Sequence, residues 1–173
     1  KINLSDVLSE QHIPIVTDVM PEMDEIRISA GTYQFIDKQP VHIEVNHRQE
    51  KAIQIDGHAV ITVQIPCDRC LDPAQKELTL QFQKNIDLGK CDADSEELDE
   101  TNYIDGYYLD VEQLLYNDIL IGWPMKILCC EDCKGICNGC GQNLNKGTCD
   151  CEDTSLDPRM SVVRDLFKNF KEV

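Results

Sequence analysis

The sequence predicts an α+β fold: an antiparallel, curved or barrel-like β sheet with two main helices and a C-terminal cysteine-rich module. Three observations lead there. Apolar residues in the first half alternate with polar ones over several runs, the period-two pattern of half-buried strands. Two later segments carry helix start signals followed by apolar residues at helical spacing. Seven of the ten cysteines fall within 23 residues near the C-terminus.

The strands come first. Val41, Ile43 and Val45 alternate with His42, Glu44 and Asn46. Ile53, Ile55, Ala59, Ile61, Val63 and Ile65 all sit at odd positions. A two-residue turn at Asp56-Gly57 would reverse the inward parity, so unbroken parity predicts one long strand, kinked or bulged at Gly57. Leu78, Leu80, Phe82, Ile86 and Leu88 supply another strand, and Ile26–Ala30 and Tyr33–Ile36 are shorter candidates. Asp105-Gly106 reads as a tight turn between Tyr103-Ile104 and Tyr107-Tyr108.

The helices follow. Asp110 is the expected N-cap of the first, and Gln113 three residues on completes a capping-box pattern. Val111, Leu114, Leu115 and Ile119 form its apolar face, and Gly122, Trp123 and Pro124 end it. The second begins at Asp157-Pro158, an N-cap acid before proline at the first helical position. Val163, Leu166, Phe167 and Phe170 make its stripe. The acidic run 92–100 reads as a solvated linker in preference to a docking loop for a basic partner.

Composition narrows the function. The net charge is −16, which argues against a generic nucleic-acid sleeve, because phosphate binding needs clustered Lys and Arg. The charge is uneven. Residues 1–125 hold 9 Lys and Arg against 24 Asp and Glu, whereas residues 126–173 hold 7 against 8. An acidic body suits a basic protein partner. No apolar run approaches the ~20 residues that span a membrane, and Lys1 to Pro14 lacks a secretory pattern. The chain is read as soluble and cytoplasmic, where this many cysteines point to metal or redox chemistry rather than to a disulfide framework.

The cysteine spacing favours metal. Cys137 and Cys140 form a Cys-x2-Cys pair beside Gly139 and Gly141. Two sulfurs must converge on one ion there, and glycine permits the sharp turn that brings them together. Cys149 and Cys151 complete a tetrahedral set from one compact segment. Cys129 and Cys133 are half a site. The other half is sought upstream, at Cys67 and Cys70 in PCDRCLD, which follow the long strand. A zinc held by Cys67, Cys70, Cys129 and Cys133 would staple the module to the sheet. One or two structural zinc ions are thus expected. Cys91 and Cys130 are left over, although Cys130 could replace Cys129, since it makes Cys-x2-Cys with Cys133. Two domains result: an acidic β-rich domain over 1–125 ending in a helix, and a Cys-rich zinc module over 126–173 with the C-terminal helix, packed on the first.

Catalysis finds no support. Four thiolates leave no open metal position, which catalytic zinc keeps. His12, His42, His47 and His58 are scattered, no serine lies beside a base motif, and no phosphate-binding glycine loop is present. Two competitors are a thiol redox protein using Cys67 and Cys70, and a zinc-containing nucleic-acid-binding regulator. The first would place its pair at a helix N-terminus rather than between strands. The second would need a basic recognition helix.

The order of PCDRCLD at 66–72, a helix ending in Trp-Pro, CCEDCKGICNGCGQNLNKGTCDC at 129–151 and LDPRM at 156–160 resembles the bacterial YceD family, the large ribosomal RNA subunit accumulation proteins. The resemblance covers most of the chain. It implies a non-enzymatic ribosome-biogenesis factor supporting synthesis, processing or stability of large-subunit (23S) ribosomal RNA. By the family pattern Cys129 is the first cysteine of the cluster and Cys130 falls at a polar position, which favours Cys129 as the ligand. A ribosomal protein or pre-large-subunit particle is the expected partner, with no membrane. For direct RNA contact the candidates are Arg69, Arg159, Arg164, Lys168 and Lys171, set against the reading of the terminal helix as an ordinary amphipathic one.

Overall fold

The computed structural model describes residues 1–49, 52–88 and 102–151. The chain divides into two compact units. The first joins Lys1–Ile65 to Gln75–Met125, and the second joins Pro66–Ala74 to the chain from Lys126.

The first unit is mostly antiparallel sheet. In chain order it contains β1 (Ile2–Asn3), α1 (Ser5–Leu8), β2 (Ile15–Val19), β3 (Glu25–Ile28), β4 (Gly31–Lys38), β5 (Val41–Gln49), β6 (Ala52–Pro66), β7 (Pro73–Asp87), β8 (Ile104–Asp105), β9 (Tyr108–Leu109) and α2 (Val111–Ile121). The ends of β6 and β7 run into the second unit. The larger sheet has the order β2-β5-β6-β4-β3, with β7 also paired to β6. A smaller sheet joins β1, β9 and β8.

The long strand β6 is where parity pays off structurally. Ile53, Ile55, Ala59, Ile61, Val63 and Ile65 are all buried, so one face of a 15-residue strand supplies much of the core. Val41, Ile43 and Val45 of β5 are buried beside them. Against β5, the strand does not show the expected bulge at Gly57. The register runs His42↔His58, Ile43↔Gly57, Glu44↔Asp56 without interruption, and the shift in this pair falls between His47 and Gln49 instead. Glycine is needed at 57 for a different reason: a Cβ there would stand 2.5 Å from Phe82 Cζ and 2.8 Å from the His42 carbonyl oxygen. The ring of β7 lies against bare backbone.

The hairpin before α2 is also displaced by one residue. Asp105 pairs with Tyr108, so the turn residues are Gly106 and Tyr107, not Asp105 and Gly106. Gly106 has φ 59°, and it takes the first central position, where type II′ hairpins place glycine. Asp110 caps α2 by accepting the Gln113 N–H at 3.2 Å. The reciprocal half of the capping box does not form, because the Gln113 side chain donates to Asn117 Oδ1 and the Asp110 N–H bonds the Tyr103 carbonyl.

Helix α2 buries Val111, Leu114, Leu115 and Ile119, and with them Asp118. Burial of that carboxylate is offset by Lys84, whose Nζ lies 3.0 Å away. Glu112, on the same helix, accepts the N–H groups of Glu22 at 2.6 Å and Met23 at 3.2 Å. No helix among the described residues is long and apolar enough to cross a membrane. The expected helix from Asp157 and the acidic run 92–100 lie outside the described residues.

Candidate metal centre

The described part of the second unit is built from short turns, and two of them share one design. In the first, the Leu71 N–H bonds the Cys67 carbonyl at 2.9 Å and the Cys67 N–H bonds the Asp72 carbonyl at 2.8 Å. In the second, the Gly141 N–H bonds the Cys137 carbonyl at 2.8 Å and the Cys137 N–H bonds the Gln142 carbonyl at 2.8 Å. Each turn closes over its Cys-x2-Cys pair and points both sulfurs to one side. The closing residue takes a left-handed conformation in both, φ 62° at Leu71 and φ 75° at Gly141.

The first turn is tied to the chain beyond Lys126 by hydrogen bonds from backbone N–H groups. The Asp68 N–H donates to the Ile127 carbonyl at 2.8 Å, and the Ile127 N–H donates to Asp68 Oδ2 at 2.6 Å. The Ile136 N–H bonds the Arg69 carbonyl. Gly135 must be small here, because a Cβ would stand 3.1 Å from that same Arg69 oxygen and its φ is 79°.

These bonds bring together four thiols drawn from residues up to 66 apart. Cys67 Sγ lies 3.8 Å from Cys133 Sγ, and Cys70 Sγ lies 3.5 Å from Cys129 Sγ. The four sulfurs of Cys67, Cys70, Cys129 and Cys133 all fall within 4.8 Å of one another, as do those of Cys137, Cys140, Cys149 and Cys151. A tetrahedron with metal–sulfur bonds of about 2.3 Å has sulfur–sulfur edges of about 3.8 Å. A disulfide requires about 2.05 Å, and the nine described cysteines are all free. Each quartet can therefore hold one metal ion. Cys67, Cys70 and Cys133 are buried, with Leu128 and Ile136 packed against them.

The electrostatics of the thiols match that geometry. Burial pushes the Cys67 thiol up, but the N–H groups of Arg69, Cys70 and Cys129 bring it down to about 6. The N–H groups of Cys140 and Gly139 bring Cys137 down to about 6 as well. Cys133 is lowered by the Asn145 amide, which donates to its sulfur at 3.3 Å. Others move the opposite way. Cys129 is raised by the neighbouring Cys133 and Cys70 sulfurs, and Cys151 is pushed up to about 12 by Cys140 and Cys137. Crowded thiols cannot all ionise against one another; a divalent cation in their midst removes that conflict by replacing the shared protons.

Sequence reasoning overlooked the supporting residues around Asp72. Asn143 Nδ2 donates to Asp72 Oδ2 at 2.8 Å, and Lys146 Nζ to Asp72 Oδ1 at 2.8 Å. The Lys146 ammonium holds the Asp72 carboxyl below its usual range. Asn145 also accepts the Lys134 N–H. The Asn143–Lys146 segment thus braces one cysteine turn while bonding a sulfur opposite. Arg69, considered for RNA, uses Nη1 to donate to the Cys133 carbonyl at 2.8 Å.

The sequence pattern of the family described as "Large ribosomal RNA subunit accumulation protein YceD" matches residues 55–167, which takes in all eight cysteines of both quartets. The chain belongs to the YceD family. Two curated relatives carry related names. The "Large ribosomal RNA subunit accumulation protein YCED homolog 1, chloroplastic" of Arabidopsis thaliana is 25% identical over 175 residues, covering 85% of this chain and 54% of its own length. The Zea mays protein of the same name is 22% identical over 180 residues, covering 83% of this chain and 60% of its own. The chain therefore spans little more than half the length of these YceD-family relatives. No solved structure matches it. The YceD match extends past Cys151 to the segment holding Arg159 and Arg164. Those two residues, with Lys168, Lys171 and Cys91, lie outside the described residues.

Proposed function

We propose that this YceD-family protein is a non-enzymatic ribosome-biogenesis factor that supports synthesis, processing or stability of large-subunit ribosomal RNA in the cytoplasm, and that it folds around two structural zinc ions. The observation that carries the zinc reading is the closed four-thiol geometry of both quartets within the family match. Zinc accepts four thiolates tetrahedrally, and a site so filled has no open position for a substrate or water. Cys67, Cys70, Cys129 and Cys133 would hold one ion; Cys137, Cys140, Cys149 and Cys151 the other. The zinc would supply folding free energy to a unit whose described residues lie almost wholly in turns.

The ribosomal reading rests on the family and on the names of the plant relatives. Charge agrees with it. The acidic, β-rich part, which we read as a curved or barrel-like platform, suits a basic ribosomal protein or a pre-large-subunit particle. A thiol redox role for Cys67 and Cys70 is less well supported, because the short sulfur contacts run from each of them to Cys133 and Cys129.

Depletion tests the ribosomal role. Loss of the protein should lower mature large-subunit ribosomal RNA relative to the small-subunit RNA, or leave its ends unprocessed. Normal abundance and normal ends would overturn the reading. Thiol titration before and after a chelator tests the zinc: chelation should release protected thiols, whereas a redox pair would respond to reductant alone.

A further inference from the structure

The first quartet has a fifth thiol beside it. Cys130 Sγ stands 3.8 Å from Cys129 Sγ, the separation that Cys67 and Cys133 show across the site and about the edge of a tetrathiolate tetrahedron. Cys129 and Cys130 are both exposed, whereas Cys67, Cys70 and Cys133 are buried. Three thiols are thus fixed in the interior and two stand at the open side. Spacing singles out Cys130 independently. Cys130 and Cys133 are a Cys-x2-Cys pair, as in the other two turns, while Cys129 and Cys133 are one residue further apart. The Cys133 N–H donates to the Cys130 carbonyl at 3.2 Å, so a closed turn spans that pair. The second quartet has no such reserve, since it uses every cysteine from 137 to 151.

We propose that Cys130 is an alternative ligand of the first site, so that zinc held by Cys67, Cys70 and Cys133 accepts either Cys129 or Cys130 as its fourth thiolate. This rests on the zinc reading of the quartets. The exchange balances without an oxidant or reductant. The Cys130 thiol gives up its proton as its sulfur binds, and the departing Cys129 thiolate takes one up. Four thiolates on a divalent ion remain throughout, so the charge of the site does not change. Cys130 stands outside the four sulfurs that fall within 4.8 Å of one another, so its sulfur must swing inward as that of Cys129 leaves.

Zinc per full-length reduced chain tests this, in the wild type, Cys129→Ala and Cys129→Ala/Cys130→Ala. Two zincs are expected in the wild type and in Cys129→Ala, and one in the double variant. One zinc in Cys129→Ala beside two in the wild type would overturn the proposal while leaving the zinc reading standing; no zinc in the wild type would remove both. Should the double variant fail to fold, alkylation of the zinc-loaded single variant decides. Removing Cys129 should lower iodoacetamide labelling of Cys130 about tenfold relative to wild type, since a coordinated thiolate is shielded. Unchanged labelling would overturn the proposal.

Discussion

Leu71 and Gly141 occupy the same position in two turns of the same construction, each donating its N–H to the carbonyl of the cysteine four residues before it, at 2.9 and 2.8 Å. Both are left-handed, but only one is glycine. A Cβ at Gly141 would meet nothing within 4 Å, so its conformation is the sole reason for glycine there. Gly141→Ala should destabilise the zinc-loaded protein by about 1 kcal/mol. Leu71 is 65% exposed, and Leu71→Gly should stay within about 0.5 kcal/mol of wild type, because relief of the strained φ offsets glycine's greater unfolded freedom. Thermal melting with zinc bound checks both. A large loss in Leu71→Gly would mean that its side chain holds the unit together.

The close approach of Phe82 to Gly57 gives a prediction for the sheet. Gly57→Ala should cost about 1–3 kcal/mol, as overpacking does when backbone lies within reach, measured by urea unfolding. In a Phe82→Leu background the same change should cost less, since the ring makes the two shortest contacts, at 2.5 and 2.6 Å. Equal costs in both backgrounds would show that the His42 carbonyl, not the ring, demands glycine.

Metal retention should depend on pH in a stated direction. Cys67 and Cys137 are lowered from 9.0 to about 6 by N–H groups that favour the thiolate. A lowered thiol contributes stability above its unfolded value and loses it as pH falls through the folded one. Zinc should therefore be held at pH 7 and released increasingly steeply below about 6, where these two anchors also take up protons. A chromogenic chelator follows the release. A midpoint above pH 7 would contradict the assigned thiolate character.

Much of this was legible because it depends on spacing or parity. Odd-numbered apolar residues made β6 a single strand, and the Cys-x2-Cys pairs made the two groups of four readable, including the distant partnership of Cys67 and Cys70 with Cys129 and Cys133. What escaped depends on contacts that no local pattern encodes. β2 has Ile15, Val16 and Val19 without clean alternation, and none of its residues is fully buried. Gly57 looked like a bulge because glycine in a strand has two explanations, and only the position of Phe82 separates them. Asp118 was hidden on an apolar helix face because its partner, Lys84, comes from a strand far away in sequence. Leu71 stands where a glycine would have announced the matching turn. Asn143, Asn145 and Lys146 look like ordinary loop residues until Asp72 and Cys133 are seen beside them.

The most direct measurement is zinc per chain by elemental analysis on reduced protein, alone and with Cys67 and Cys70 both changed to Ser. Two zincs falling to one is the expected result, since the upstream turn would supply half of one site and none of the other. One zinc that the double change leaves untouched would contradict it, confining metal to Cys137, Cys140, Cys149 and Cys151 and leaving the first quartet a cluster of free thiols.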